Sequence, residues 1–183
     1  MLGSIAGDII GSRFEGGAGP PRDFALFHPA CRFTDDTVCG LAVANALLGE
    51  RDFATSLRNF VRRHPRRGYG GMFLDWALSD DAPAYGSWGN GAPMRVAAVG
   101  WLAHDEIEAR DLAAAQAAVS HNHPDAIGAA QAVAWRSSWR ALARPGHSSA
   151  RGSSRNSATI WRRSGSSVRE ASMFRRRAPF RRR

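Results

Sequence analysis

Lysine is absent from the 183 residues, so all 25 basic side chains are arginine, an imbalance that points to a GC-rich coding sequence. Cysteine is nearly absent too. Cys31 and Cys39 form neither a CxxC pair nor part of a larger Cys/His set, which speaks against a disulfide framework and leaves two reduced thiols, as expected of a cytoplasmic protein. No apolar run approaches the roughly 18 residues of a membrane span. Asp8 also interrupts the N-terminal stretch that a signal peptide would keep apolar. A soluble, unexported protein without a membrane partner is the expectation. Period-2 alternation is missing as well, so strands are not predicted and the class is all-α.

Acidic residues are missing from one end of the chain. Residues 1–134 hold 11 Arg against 15 Asp or Glu, a net of −4, whereas residues 135–183 hold 14 Arg and one acid, a net of +13. The formal charge of +9 therefore belongs to the tail, where 25 of 49 residues are Arg or Ser. A disordered Arg/Ser-rich segment binding nucleic acid through charge alone is one reading of it. A shifted reading frame is the other.

What is present centres on Arg32-Phe33-Thr34-Asp35-Asp36-Thr37. Short side chains just before a helix bring hard oxygens to one spot, as Mg²⁺ or Mn²⁺ requires. The same residues also suit a Thr34 N-cap, with Asp35 and Asp36 complementing the helix dipole. Upstream, residues 2–14 predict a buried helix with Leu2, Ile5, Ile9 and Ile10 on one face and Gly3, Gly7 and Gly11 on another. Downstream, a helix over residues 35–48 turns Val38, Leu41, Ala42 and Leu48 inward and ends at Gly49, and Asp52 caps the next, where Phe53, Leu57, Phe60 and Val61 share a face. A glycine-rich loop over residues 85–95 exposes backbone amides suited to phosphates or a ribose, ahead of a helix from its proline to Ala103. Another helix runs from Glu106 to Val119, and the chain breaks at Ser120-His121-Asn122-His123-Pro124 before restarting at Asp125. His121 reads as a substrate hydrogen bonder or as a structural loop residue; no Cys or third His completes a zinc site.

Five segments in this order carry a resemblance: Gly7-Asp8-Ile9-Ile10-Gly11 with Glu15, Phe33-Thr34-Asp35-Asp36-Thr37, Gly68-Tyr69-Gly70-Gly71-Met72-Phe73, Ser87-Trp88-Gly89-Asn90-Gly91-Ala92-Pro93-Met94-Arg95, and Ser120-His121-Asn122-His123-Pro124. Together they resemble the ADP-ribosylglycohydrolase family over residues 1–134. The resemblance implies an all-α fold holding two Mg²⁺ or Mn²⁺ ions and hydrolysing a glycosidic bond at the anomeric carbon of ADP-ribose, carried by a protein or a small molecule. It implies Thr34, Asp35 and Asp36 as metal ligands and Glu15, Asp35 and Asp36 as catalytic residues. Gly89, Asn90, Gly91, Met94 and His121 would line the substrate site. Asp8 takes a structural role.

The family's second acidic ligand group, an Asp-x-Asp-Thr segment, has no counterpart here, since no Asp follows Asp125. With Ser as TCN and Arg as CGN, a one-base shift turns residues 134–140 into codons for Ala, aliphatic, Met or Phe residues. Shifted codons over residues 155–162 and 171–175 permit family-like segments too. Residues 1–134 are thus expected to form a partial, truncated domain and residues 135–183 an out-of-frame, disordered basic tail. Catalysis would be crippled by the missing ligands, with a non-catalytic ADP-ribose binder as the alternative and nucleic acid no physiological partner.

Overall fold

The computed structural model describes residues 1–17 and 19–142. Among these residues the fold is all-α, with no strand. The helices are α1 (Leu2–Gly11), α2 (Asp35–Leu48), α3 (Phe53–Arg63), α4 (Gly71–Leu78), α5 (Ala97–Leu102), α6 (Glu106–Ala118) and α7 (Pro124–Leu142), with 3₁₀ turns at Ser12–Phe14 and Pro93–Arg95. Several boundaries follow from local chemistry. The Asp52 carboxylate accepts from the Thr55 amide at 3.0 Å and that of Asp105 from the Glu108 amide at 2.8 Å, so each satisfies an amide that a helix start leaves unpaired. Gly49 closes α2, its amide donating to the Asn45 and Ala46 carbonyls.

α2 lies at the centre, packed on α3 and α5, while α7 packs along α5 and α6. The core joins Val43, Leu57, Val96 and Val99 to a run of fully buried alanines, Ala42, Ala113, Ala117, Ala130 and Ala134. Small side chains let these helix axes approach closely, and Gly100 marks the tightest point. A Cβ added there would lie 2.4 Å from the Ser137 Cβ and 2.9 Å from the Ala134 carbonyl oxygen. Gly100→Ala must therefore push α5 off α7, and a loss of about 1–3 kcal/mol is expected despite alanine's better helix propensity. A urea midpoint equal to or above that of the parent would contradict this packing account.

Four sequence expectations change. α1 forms, but none of its residues is fully buried, and Leu2 is largely exposed. Among the described residues its glycine stripe meets no neighbouring backbone: a Cβ on Gly3, Gly7 or Gly11 would touch none of their atoms within 4 Å. On α2, Val38 and Ala42 face inward as expected, but Leu48 is exposed. Leu41 turns instead to an apolar groove with Ile5, Ile9 and Phe60, because Cys39, Val43 and Ala46 hold the core face. The helix expected from Pro93 to Ala103 is divided into the 3₁₀ turn and α5. Finally, α7 does not break at residue 134 but runs on to Leu142. Ala, Arg and Trp sustain it, Ser137 and Ser138 turn their hydroxyls back to the Val133 and Trp135 carbonyls, and Trp135 packs edge-on against Trp139. The remainder of the basic tail, from residue 143, lies outside the described residues.

Candidate active site

Thr34 occupies the N-cap position of α2 in an extended conformation, yet its side chain makes no cap bond. The cap comes instead from Asp8, on a different helix. The Thr34 amide donates to Asp8 Oδ2 at 2.9 Å, the Thr37 amide to the same oxygen at 3.2 Å, and the Thr34 hydroxyl to Asp8 Oδ1 at 2.6 Å; the Thr37 hydroxyl also donates to Oδ2. One carboxylate thus satisfies two amides at the helix start and ties α1 to it. This arrangement leaves the carboxylates of Asp35 and Asp36 free of capping duty. Asp35 is fixed through its backbone, its amide donating to the Arg67 carbonyl at 2.8 Å.

The two adjacent acids are half-buried, and the surroundings resist their charge. Burial first, then the Asp36 charge, push the Asp35 carboxyl up to about 6, with Glu15 and Asp8 adding to the rise and a backbone hydrogen bond opposing it. Asp36 is raised as well, by burial and then by Asp8 and Glu15. Neither forms an ion pair among the described residues. Excess negative charge on the hard oxygen donors of Asp35 and Asp36, with the Thr34 hydroxyl beside them, is chemistry that suits a divalent cation. The set is partial: among the described residues no three His, Cys, Asp or Glu side chains converge on one metal position. Cys39 offers nothing here, since burial pushes its thiol up to about 12.

Asp35 also reaches a cavity of about 200 Å³ that Gly89, Asn90, Gly91, Met94 and His121 line, together with Gly70, Phe73 and Arg95. The structure therefore gathers all five substrate-site candidates and one of the two adjacent acids around one space. Glu15, Thr34 and Asp36 do not line it. Glu15 lies exposed after the Ser12–Phe14 turn and acts on Asp35 and Asp36 through its charge. The glycine loop is anchored from behind, the Gly86 amide donating to Asn122 Oδ1 at 2.7 Å and the Tyr85 amide to the Ser120 carbonyl at 3.2 Å.

Beneath the cavity lies a polar network that sequence reasoning missed. Arg95 is wholly buried. Its Nε donates to Gln116 Oε1 at 2.6 Å, and its Nη2 donates to the Gln116 carbonyl at 2.7 Å and to Ser120 Oγ at 3.0 Å. Gln116 passes the link on, its Nε2 donating to the Ala92 and Ala113 carbonyls. Burial brings Arg95 down to about 10 and, with the Arg95 charge second, His121 down to about 4. The signal in the sequence was a single Arg and a single Gln, each placed inside an otherwise apolar run, where a polar side chain must find buried partners.

Comparison with known proteins bears on the family. The family model described as ADP-ribosylglycohydrolase matches residues 1–180, past the residue-134 limit of the five motifs. A curated relative, the ADP-ribosylhydrolase ARH3 of Danio rerio, is 30% identical over 125 residues, which cover 52% of this chain and 34% of that protein. The chain thus spans about a third of the length of the curated relative it matches. With its motifs in order and its fold all-α, the chain belongs to the ADP-ribosylglycohydrolase family.

Proposed function

We propose that the cavity binds an ADP-ribosyl group and that the site serves metal-dependent hydrolysis of its glycosidic bond to a protein or small molecule. The carrying observation is the convergence of Asp35 with the Gly89–Asn90–Gly91 loop and His121 around one space. At about 200 Å³ it is smaller than the roughly 300–1,000 Å³ of pockets that enclose a drug-sized ligand. It suits a ribose and an adjoining phosphate, with the rest of the nucleotide outside. Glycine backbone at residue 89, exposed, and at residue 91, half-buried, accommodates phosphate oxygens, and His121 supplies a hydrogen bond from the wall. Thr34, Asp35 and Asp36 would hold Mg²⁺ or Mn²⁺, which when bound lends Lewis acidity at the ribose oxygens. The carboxylates fix where that charge sits, and Glu15 adds negative charge on the exposed side.

A second reading, ADP-ribose binding without turnover, draws support from the partial ligand set among the described residues. One pair of experiments separates the two. Release of ADP-ribose from a modified peptide, with Mg²⁺ or Mn²⁺ supplied, should be detectable for the parent and lost in Asp35→Ala and Asp36→Ala. Calorimetry with ADP-ribose should show heat whichever reading holds. No heat at millimolar ligand, together with no release, would reject the site assignment altogether.

A further inference from the structure

We propose that Arg95 and Ser120 are positioning residues that hold His121 in a single tautomer, as an Nε2–H hydrogen-bond donor aimed into the cavity. The identity of the acceptor, an oxygen of the ADP-ribosyl group, rests on the function proposed above; the fixed tautomer does not.

A guanidinium has donors only. Arg95 places one of them on Ser120 Oγ at 3.0 Å, so that hydroxyl is an acceptor there and has a single proton left to give. Ser120 is fully buried, which denies that proton to water. Its neighbour is His121 Nδ1, at 2.9 Å, and Ser120 Oγ donates to no other acceptor among the described residues. If Nδ1 were the donor instead, the hydroxyl would accept twice and its own proton would be stranded in the interior, an unsatisfied buried group that folded proteins avoid. Nδ1 therefore accepts, and the proton of the neutral ring sits on Nε2.

The ring is held so that this proton is usable. Tyr85 and Phe73 pack against it, with centroids 5.6 and 6.0 Å away. Nε2 faces Gly91: a Cβ on that residue would lie 2.5 Å from Nε2 and 2.8 Å from Cε1. The missing side chain at position 91 is what leaves Nε2 its path to the cavity that both residues line. Burial and the Arg95 charge oppose a second ring proton, which keeps the donor neutral as pH changes.

The test is nitrogen NMR of the imidazole in the full chain, in the parent, Ser120→Ala and Ser120→Thr. In the parent the proton should reside on Nε2 throughout about pH 5.5–8. Ser120→Ala should give a tautomer mixture and weaken ADP-ribose binding in proportion to the Nε2–H fraction lost, and Ser120→Thr, which keeps the hydroxyl, should restore the Nε2–H form. A parent ring protonated on Nδ1 overturns the proposal, as does an unchanged tautomer in Ser120→Ala. Should the variants fail to fold, the parent spectrum alone decides. A fixed Nε2–H in a protein that binds no ADP-ribose supports the positioning role and rejects only that ligand.

Discussion

An Arg95→Met variant is expected to lose about 2–4 kcal/mol of stability, a large share of what a domain of this size possesses. Methionine fills most of the space, so the cost is in hydrogen bonds rather than in a cavity. Gln116 Oε1, the Gln116 carbonyl and Ser120 Oγ would all lose the donor they now receive. Each acceptor is walled off from water, since Gln116 and Ser120 are fully buried. Two terms offset the loss: the guanidinium no longer has to be desolvated, and its own Nη1, which is buried without a hydrogen-bond partner, disappears with it. The net stays unfavourable because three orphaned acceptors outweigh one removed orphan. Urea unfolding checks this through a lowered midpoint at unchanged slope. A shift below about 1 kcal/mol would show that the network is not what anchors the glycine loop to α6. Arg95→Lys should fall between the two, because an ammonium keeps the charge but not the planar fork that spans Gln116 and Ser120.

What was legible in the sequence follows from how local each cause is. The Asp52 cap, the Gly49 stop and the inward face of α3 depend on residues within a turn or two of one another. The gathering of Asp35, Gly91 and His121 was legible differently, because the order of five motifs carried the resemblance and the resemblance carried the site. Nonlocal partners were not legible. Thr34 has all the marks of an N-cap, and nothing near it announces that Asp8, 26 residues earlier, takes that role. The apolar run around Arg95 hints that it is buried, but nothing near it names its partners, Gln116 and Ser120, more than 20 residues later. The apolar face of α1 predicted a buried helix, yet none of its residues is fully buried, because a periodic pattern marks a face without supplying what covers it. The tail was the reverse case: its composition argued for a break at residue 134, while helix propensity and the close approach at Gly100 carry α7 beyond it.

Asp8→Ala is expected to release α1 from α2 and to weaken the start of α2 locally, by about 2–3 kcal/mol. With none of the side chains of α1 fully buried, hydrophobic packing contributes little to its attachment. The Asp8 carboxylate, with its four hydrogen bonds, and the Arg32 amide donating to Ser12 Oγ at 3.0 Å, just beyond the helix, hold it in place. Removing the carboxylate orphans the Thr34 and Thr37 amides, and Thr34 is nearly inaccessible to replacement water. The core of α5, α6 and α7 shares none of these contacts, so global unfolding should change much less than local opening. Amide hydrogen exchange reads the difference residue by residue. The Thr37 amide should exchange roughly 30–150 times faster in Asp8→Ala, the factor that 2–3 kcal/mol represents, while the Ala113 and Ala117 amides on α6 keep their rates. Asp8→Asn should be nearly as damaging, because the amide group keeps one acceptor oxygen but presents donors where the threonine hydroxyls and amides already donate. Unchanged exchange at Thr37 would mean that the cap is dispensable. Because Asp35 sits between the two threonines, a confirmed loss would also mean that the acid lining the cavity owes its position to a helix none of whose residues lines it.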